Sequence, residues 1–84
     1  MNDVELRQLV LLELERVADE GHAAITIATL AGRIDAPAKR VALVAASLVR
    51  HGQVIGDGDM MGFVGISAVG QQYLVEVREL ADSH

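Results

Sequence analysis

Residues 25–41 read ITIATLAGRIDAPAKRV and hold two short helical patterns separated by one tight break. Thr26 precedes an apolar run and is a good N-cap, because its hydroxyl can accept a hydrogen bond from a free backbone amide of the first turn. Leu30, Ala31 and Ile34 then recur at helical spacing. Pro37 suits the first turn of the next helix. The stretch therefore predicts two helices joined by a short turn.

The second of these helices continues beyond residue 41. Its inward stripe consists of Val41, Val44, Ala45 and Leu48, and Gly52 is a typical residue to end it. The same spacing predicts the outward positions to be Ala38, Lys39, Arg40, Ala42, Leu43, Ala46, Ser47 and Arg50.

An earlier helix is predicted from Asp3 to Glu20, with Asn2 or Asp3 as its cap. Its inward face is expected to hold Leu6, Leu9, Val10, Leu14 and Val17. Val4, Leu11 and Leu12 fall off that stripe. They suggest a second apolar surface, either a further part of the core or a surface for self-association.

Two short apolar segments, 53–56 and 60–64, surround Asp57-Gly58-Asp59 and predict a β-hairpin. Gly65 is expected to end the second strand, and Ser67 to cap a closing helix. That helix is expected to turn Tyr73, Leu74, Val77 and Leu80 inward and to leave Val75 outside.

Length and composition exclude several classes of function. The 84 residues fit one small domain, 1–84, and no repeat or linker divides them. The chain has no Cys, its three His residues are far apart, and its Gly residues do not open a helix. We therefore expect no catalytic residue, no metal site and no cofactor. No apolar run suits a membrane span and no signal peptide is evident, so the expected location is cytoplasmic.

The net charge of −5 is unevenly distributed. Residues 21–56 carry four cations against one acid, a net charge of +3, whereas residues 1–20 and 57–84 are acidic. A local positive charge is compatible with binding to phosphates, although the charge of the whole chain opposes it.

The order of helix, short strand, two-helix motif, hairpin and closing helix resembles a winged helix-turn-helix domain of small bacterial and archaeal transcription regulators. Two segments carry the resemblance, LVRHGQV at 48–54 and FVGISAVGQQYL at 63–74. The fold class it implies is mostly α with a small β wing.

The resemblance also implies a function. In such domains the second motif helix enters the DNA major groove. The DNA-contacting positions would then be Arg33, Lys39, Arg40, Leu43, Ser47 and Arg50. The expected protein is a non-enzymatic DNA-binding regulator. The surplus of apolar side chains outside the inward stripes separately predicts a homodimer, whose interface would consist of Val4, Leu11, Leu12 and Val75.

Two features depart from the family pattern. Ala42, Leu43 and Ala46 are apolar where DNA-reading helices usually carry polar groups, and the wing tip holds Asp57 and Asp59. These features favour an alternative in which the domain is a protein–protein interaction module, an adaptor or an inhibitor of phage origin, that does not bind DNA. Such a module would use Leu43 and the acidic surfaces.

Overall fold

The computed structural model describes residues 2–56 and 62–82, and of Asp82 only the backbone. This part of the chain is mostly helical with a small antiparallel sheet, as the sequence predicts. The elements in chain order are α1 (Asp3–Asp19), β1 (Ile25–Thr26), α2 (Ile27–Ile34), α3 (Ala38–Arg50), β2 (Val54–Gly56), β3 (Phe63–Ile66) and α4 (Ala68–Asp82).

Three helices begin at the polar residues that the sequence indicates. The Asn2 side chain accepts a hydrogen bond from the Glu5 amide at 2.9 Å, and Thr26 Oγ1 accepts one from Thr29 at 3.2 Å. The Gly70 amide donates to Ser67 Oγ at 3.1 Å. Each hydroxyl or amide oxygen satisfies an amide that has no partner within its helix.

The turn between α2 and α3 depends on a left-handed residue. Asp35 has φ 55° and ψ 50°, and the Ala36 amide donates to the Ala31 carbonyl at 3.0 Å. Pro37 then adopts φ −61° and directly precedes α3, one position earlier than a first-turn residue. Aspartate tolerates the left-handed region better than most residues, which allows so short a connection.

Helix α3 ends at Arg50, and the predicted stop residue Gly52 follows its C-cap, His51. Gly52 has φ 76°, its amide donates to Val49 at 3.0 Å, and the Gln53 amide donates to Leu48 at 2.9 Å. This pair of bonds is a Schellman motif, which favours glycine at the left-handed position. The chain thereby turns directly from α3 into β2.

The strands pair in the order β1-β3-β2, with both pairings antiparallel. The expected hairpin is therefore present, but Gly65 does not end its second strand. Gly65 lies inside β3 opposite Ile55, and a Cβ at this position would be only 2.3 Å from the Ala23 carbonyl oxygen. Glycine is required there because the segment before β1 crosses the strand at backbone distance. The predicted wing tip, residues 57–59, lies outside the described residues.

The core forms around α1, which contacts α2, α3, β3 and α4. Because α1 is covered by several elements, its buried arc is wider than one stripe, and Leu11 is only 1 % exposed. The prediction that Leu11 lies off the inward face was therefore wrong. Leu9 was placed on that face but is 36 % exposed. The fully buried large side chains are Leu6, Val10, Leu11, Leu14, Val17, Ile27, Leu30, Val41 and Val64.

The closing helix α4 contributes less to the core than predicted. Leu74 is buried and Tyr73 and Val77 are half-buried, whereas Leu80 is 68 % exposed. Helix α4 packs against α1, and the buried Gly70 near its start lies against the Gln53 carbonyl oxygen and the Ile66 side chain. Val75 is exposed, as expected.

Substituting two glycines by alanine should change stability in opposite directions. Gly65→Ala forces a methyl group against the Ala23 carbonyl, and we expect it to lower the free energy of unfolding by about 1–3 kcal/mol. Gly32→Ala is the matched control, because Gly32 lies in α2 with no atom within 4 Å of the added Cβ. It should raise the free energy of unfolding by about 0.5–1 kcal/mol. Urea denaturation followed by circular dichroism measures both, and equal effects would contradict the close approach at Gly65.

Candidate functional site

The outer side of α3 is the candidate site. We call the α3 face the set of side chains that this helix turns away from the core: Lys39, Arg40, Leu43, Ala46, Ser47 and Arg50. Ala46 and Ser47 are half-buried and the other four are exposed. Five of the six predicted DNA-contacting residues are therefore brought together on one helix surface.

Ala42 was expected on this surface but is only 6 % exposed. Helix α3 packs against α1, α2 and β2, so its buried arc extends beyond the stripe of Val41, Val44, Ala45 and Leu48. Leu43, in contrast, is 66 % exposed at the centre of the α3 face. The apolar character of the face therefore rests on Leu43 and Ala46, without Ala42.

The first turns of α1 border the α3 face. Arg7 Nη2 donates a hydrogen bond to Ser47 Oγ at 3.2 Å, and Arg40 Nη2 donates to Asp3 Oδ1 at 3.0 Å. Arg7 and Asp3 were not among the predicted site residues, because their contacts join positions 40 and 37 residues apart in the chain. No local pattern carries that information. The candidate site thus gains one further cation, Arg7, and one acid, Asp3.

Arg33 was predicted to contact DNA with the α3 residues, but it lies in α2 and faces two acids of the α1 end. Its Nε is 3.0 Å from Glu13 Oε1, and its Nη2 is 2.7 Å from Glu20 Oε1. Glu13 is 8 % exposed and also pairs with Arg16 at 3.2 Å. The charge of Arg33 is therefore compensated within the fold, where it joins α2 to α1.

These contacts change the proton affinities of the groups that form them. The hydrogen bond from Arg33 lowers the pKa of the Glu20 carboxyl below its ordinary value. The hydrogen bonds to Glu20 and then Glu13 raise the pKa of the Arg33 guanidinium. Each partner stabilises the charged form of the other.

The charges of the cations on the α3 face are compensated less than the charge of Arg33. Lys39 and Arg50 form no ion pair with an acid among residues 2–56 and 62–82. The pair of Arg40 with Asp3 is open to solvent, since the two side chains are 45 % and 73 % exposed. A pair so exposed contributes only about 0–1 kcal/mol. The α3 face is therefore a cationic surface with an apolar centre.

The predicted dimer surface is only partly available. Leu11 is buried and has no surface to contribute, whereas Val4, Leu12 and Val75 are 65 %, 39 % and 42 % exposed. Leu12 lines a shallow groove between α1 and α4 together with Val77 and other residues of α4. We call Val4, Leu12 and Val75 the α1–α4 surface.

The described residues contain neither a metal-binding cluster nor a membrane-spanning helix. Within that part of the chain, no group of three His, Asp or Glu side chains is placed to hold a metal ion. No helix there is both long enough and apolar enough to cross a membrane.

Comparison of the chain with models of known protein families, with curated proteins and with solved structures finds no match. The contacts and charges described above are therefore what supports a function for this protein.

The Glu20–Arg33 contact predicts a pH-dependent contribution to stability. Because the folded state lowers the pKa of Glu20, the contribution is present above the ordinary glutamate pKa of about 4.3 and is lost as the pH falls through the lowered value. Glu20→Gln should lower the urea midpoint at pH 7, and the difference from the wild type should shrink below about pH 4.

The matched control for this prediction is Asp19→Asn, which removes the same charge from the adjacent exposed position without removing a contact to Arg33. If the two variants lower the urea midpoint at pH 7 by the same amount, the Glu20–Arg33 contact makes no contribution of its own to the stability of the fold.

Proposed function

We propose that this protein is a winged helix-turn-helix domain that binds DNA through the α3 face. The order of its helices and strands supports this, since a short strand, two helices joined by a tight turn and an antiparallel hairpin follow one another. Strand β1 pairs with β3 and so ties the hairpin to the start of α2. The hairpin and α3 thus belong to one structural unit.

The observation that carries the proposal is the cationic exposed side of α3. An α-helix fits the major groove of DNA, where cationic side chains contact phosphates and polar side chains contact base edges. Lys39, Arg40 and Arg50 supply the cations, and Ser47 supplies a hydroxyl that can donate to or accept from a base. Leu43 offers an apolar contact of the kind made with a thymine methyl group.

The charge distribution predicts weak and salt-sensitive binding by a single domain. The whole chain is acidic, and Arg33 is compensated by Glu13 and Glu20. The field that attracts phosphates is therefore local to the α3 face. A homodimer that presents two α3 faces to two half-sites would strengthen such binding.

Removing two cations from the α3 face should weaken binding to any duplex. For Lys39→Ala with Arg50→Ala we expect lower affinity and a salt dependence whose slope falls by about 0.9 for each lost phosphate contact. Fluorescence anisotropy with a labelled duplex, measured over a series of salt concentrations, gives both quantities. The matched control is Arg16→Ala with Arg78→Ala, which removes the same charge from positions that pair with Glu13 and Glu15.

The comparison between the two double variants decides this prediction. The control should retain the wild-type slope, because its cations lie outside the α3 face. Equal losses in both variants would show that only overall charge matters, and unchanged affinity in the α3 variant would contradict the proposed site.

The α1–α4 surface should support the homodimer. Light scattering at micromolar concentration is expected to find a dimer, and Leu12→Glu should give a folded monomer, because it places a charge in the apolar groove beside Val77. Ile55→Glu is the control, since Ile55 is 66 % exposed on β2. A wild-type monomer at high concentration would contradict the dimer.

A second candidate function is binding to a protein, and the exposure of Leu43 favours it. A large apolar side chain at the centre of a surface, with cations around it, suits a protein interface as well as a DNA groove. The acidic residues Asp57 and Asp59 would repel phosphates near a wing. Failure of the wild type to bind duplex DNA even at low salt would favour this function over DNA binding.

A further inference from the structure

Arg7 and Arg40 line one shallow depression at the point where the first turns of α1 meet α3. Asp3 and Ser47 line it as well, each hydrogen-bonded to one of the two guanidinium groups. Asp3 and Arg7 are one helical turn apart on α1, and Arg40 and Ser47 are two turns apart on α3. The two contacts therefore lie one after the other along the junction of the two helices. Leu43 adjoins the depression on the α3 face.

The two arginines differ in how their charge is compensated. Arg40 donates to the Asp3 carboxylate, whereas Arg7 donates to the neutral hydroxyl of Ser47 and pairs with no acid among the described residues. A guanidinium group binds a phosphate through two parallel hydrogen bonds, as it binds a carboxylate. In the depression, the Asp3 carboxylate therefore already occupies Arg40, which is one of the two guanidinium groups that could bind a phosphate.

We propose that this depression is a subsite for a DNA backbone phosphate and that Asp3 competes with the phosphate for Arg40. The phosphate displaces the Asp3 carboxylate and is bound by Arg40 together with Arg7. This inference rests on the proposed DNA-binding function and adds to it a phosphate contact from α1 and an internal competitor.

Solvent exposure determines which arginine can change its partner. The Asp3 and Arg40 side chains are 73 % and 45 % exposed, so separating this solvent-exposed ion pair costs little. Arg33 contacts two carboxylates at once, and one of them, Glu13, has a side chain only 10 % exposed. Releasing Arg33 would leave a poorly solvated carboxylate with one partner fewer, which is a larger cost. Exchange is therefore expected at Arg40 and not at Arg33.

The test compares single variants of the full chain by fluorescence anisotropy with a labelled duplex of about 20 base pairs in about 50–200 mM NaCl. Asp3→Asn removes the competitor and should tighten binding by up to about fivefold. Arg7→Ala should weaken binding and lower the slope of the salt dependence by about 0.9. Arg7→Gln, which keeps a donor for Ser47, should give the same change in slope.

The control is Asp19→Asn, which removes the same charge from the other end of α1. Asp19 lies about 24 Å from Asp3 along the helix, more than two Debye lengths at about 0.1 M salt. It should therefore change affinity less than Asp3→Asn does. Circular dichroism spectra and urea midpoints show that each variant is folded before its binding is compared.

The measurements distinguish a failure of the phosphate subsite from a failure of the proposed DNA-binding function. Equal effects of Asp3→Asn and Asp19→Asn, or an unchanged slope in both Arg7 variants, would overturn the phosphate subsite. If the Lys39 and Arg50 double variant still loses binding in that case, the proposed function stands without it. Absence of duplex binding by the wild type and by Asp3→Asn alike would overturn the subsite and the proposed function together.

Discussion

Burial of α1 by four other elements is the interaction that holds the fold together. The apolar side chains of α1 meet α2, α3, β3 and α4. With no disulfide, burial of aliphatic surface must stabilise the fold. Leu11 and Glu13 are buried for the same reason as Leu6 and Val10, because α1 has covered surface on more than one side.

The central position of α1 also determines how the charges are arranged. The C-terminal half of α1 and its C-cap supply Glu13 and Glu20 to Arg33, and the first turn of α1 supplies Asp3 to Arg40. The first set is partly enclosed and joins α2 to α1, whereas the second is open to water. The charge of Arg33 is thus compensated by two carboxylates, whereas the charge of Arg40 is paired with one carboxylate that is open to solvent.

The proposed DNA-binding surface follows from these two arrangements. Helix α3 is held by α1, α2 and β2 on its inner side, which leaves a single face outward. On that face Lys39 and Arg50 stand beside the exposed Leu43, and Arg7 reaches the same surface from α1. The exposed Leu43 suits a protein partner as well as a nucleic acid. The cations around it favour the nucleic acid, and we therefore propose DNA as the partner.

Features that depend on neighbouring residues could be predicted from the sequence. The caps at Asn2, Thr26 and Ser67 and the stop at Gly52 are local, since each involves a hydrogen bond or a backbone angle within a few positions. Helical spacing likewise placed most of the inward stripe of α3 correctly.

Features that depend on residues distant in the chain could not be predicted and are visible only in the folded protein. Periodicity predicts one buried stripe for each helix, but how many neighbours cover a helix decides whether Leu11 and Ala42 are buried. The strand position of Gly65 follows from a crossing by Ala23, and the partners of Arg33 and Arg40 lie on α1 or at its C-cap. Such contacts arise from packing, and no spacing rule along the sequence encodes them.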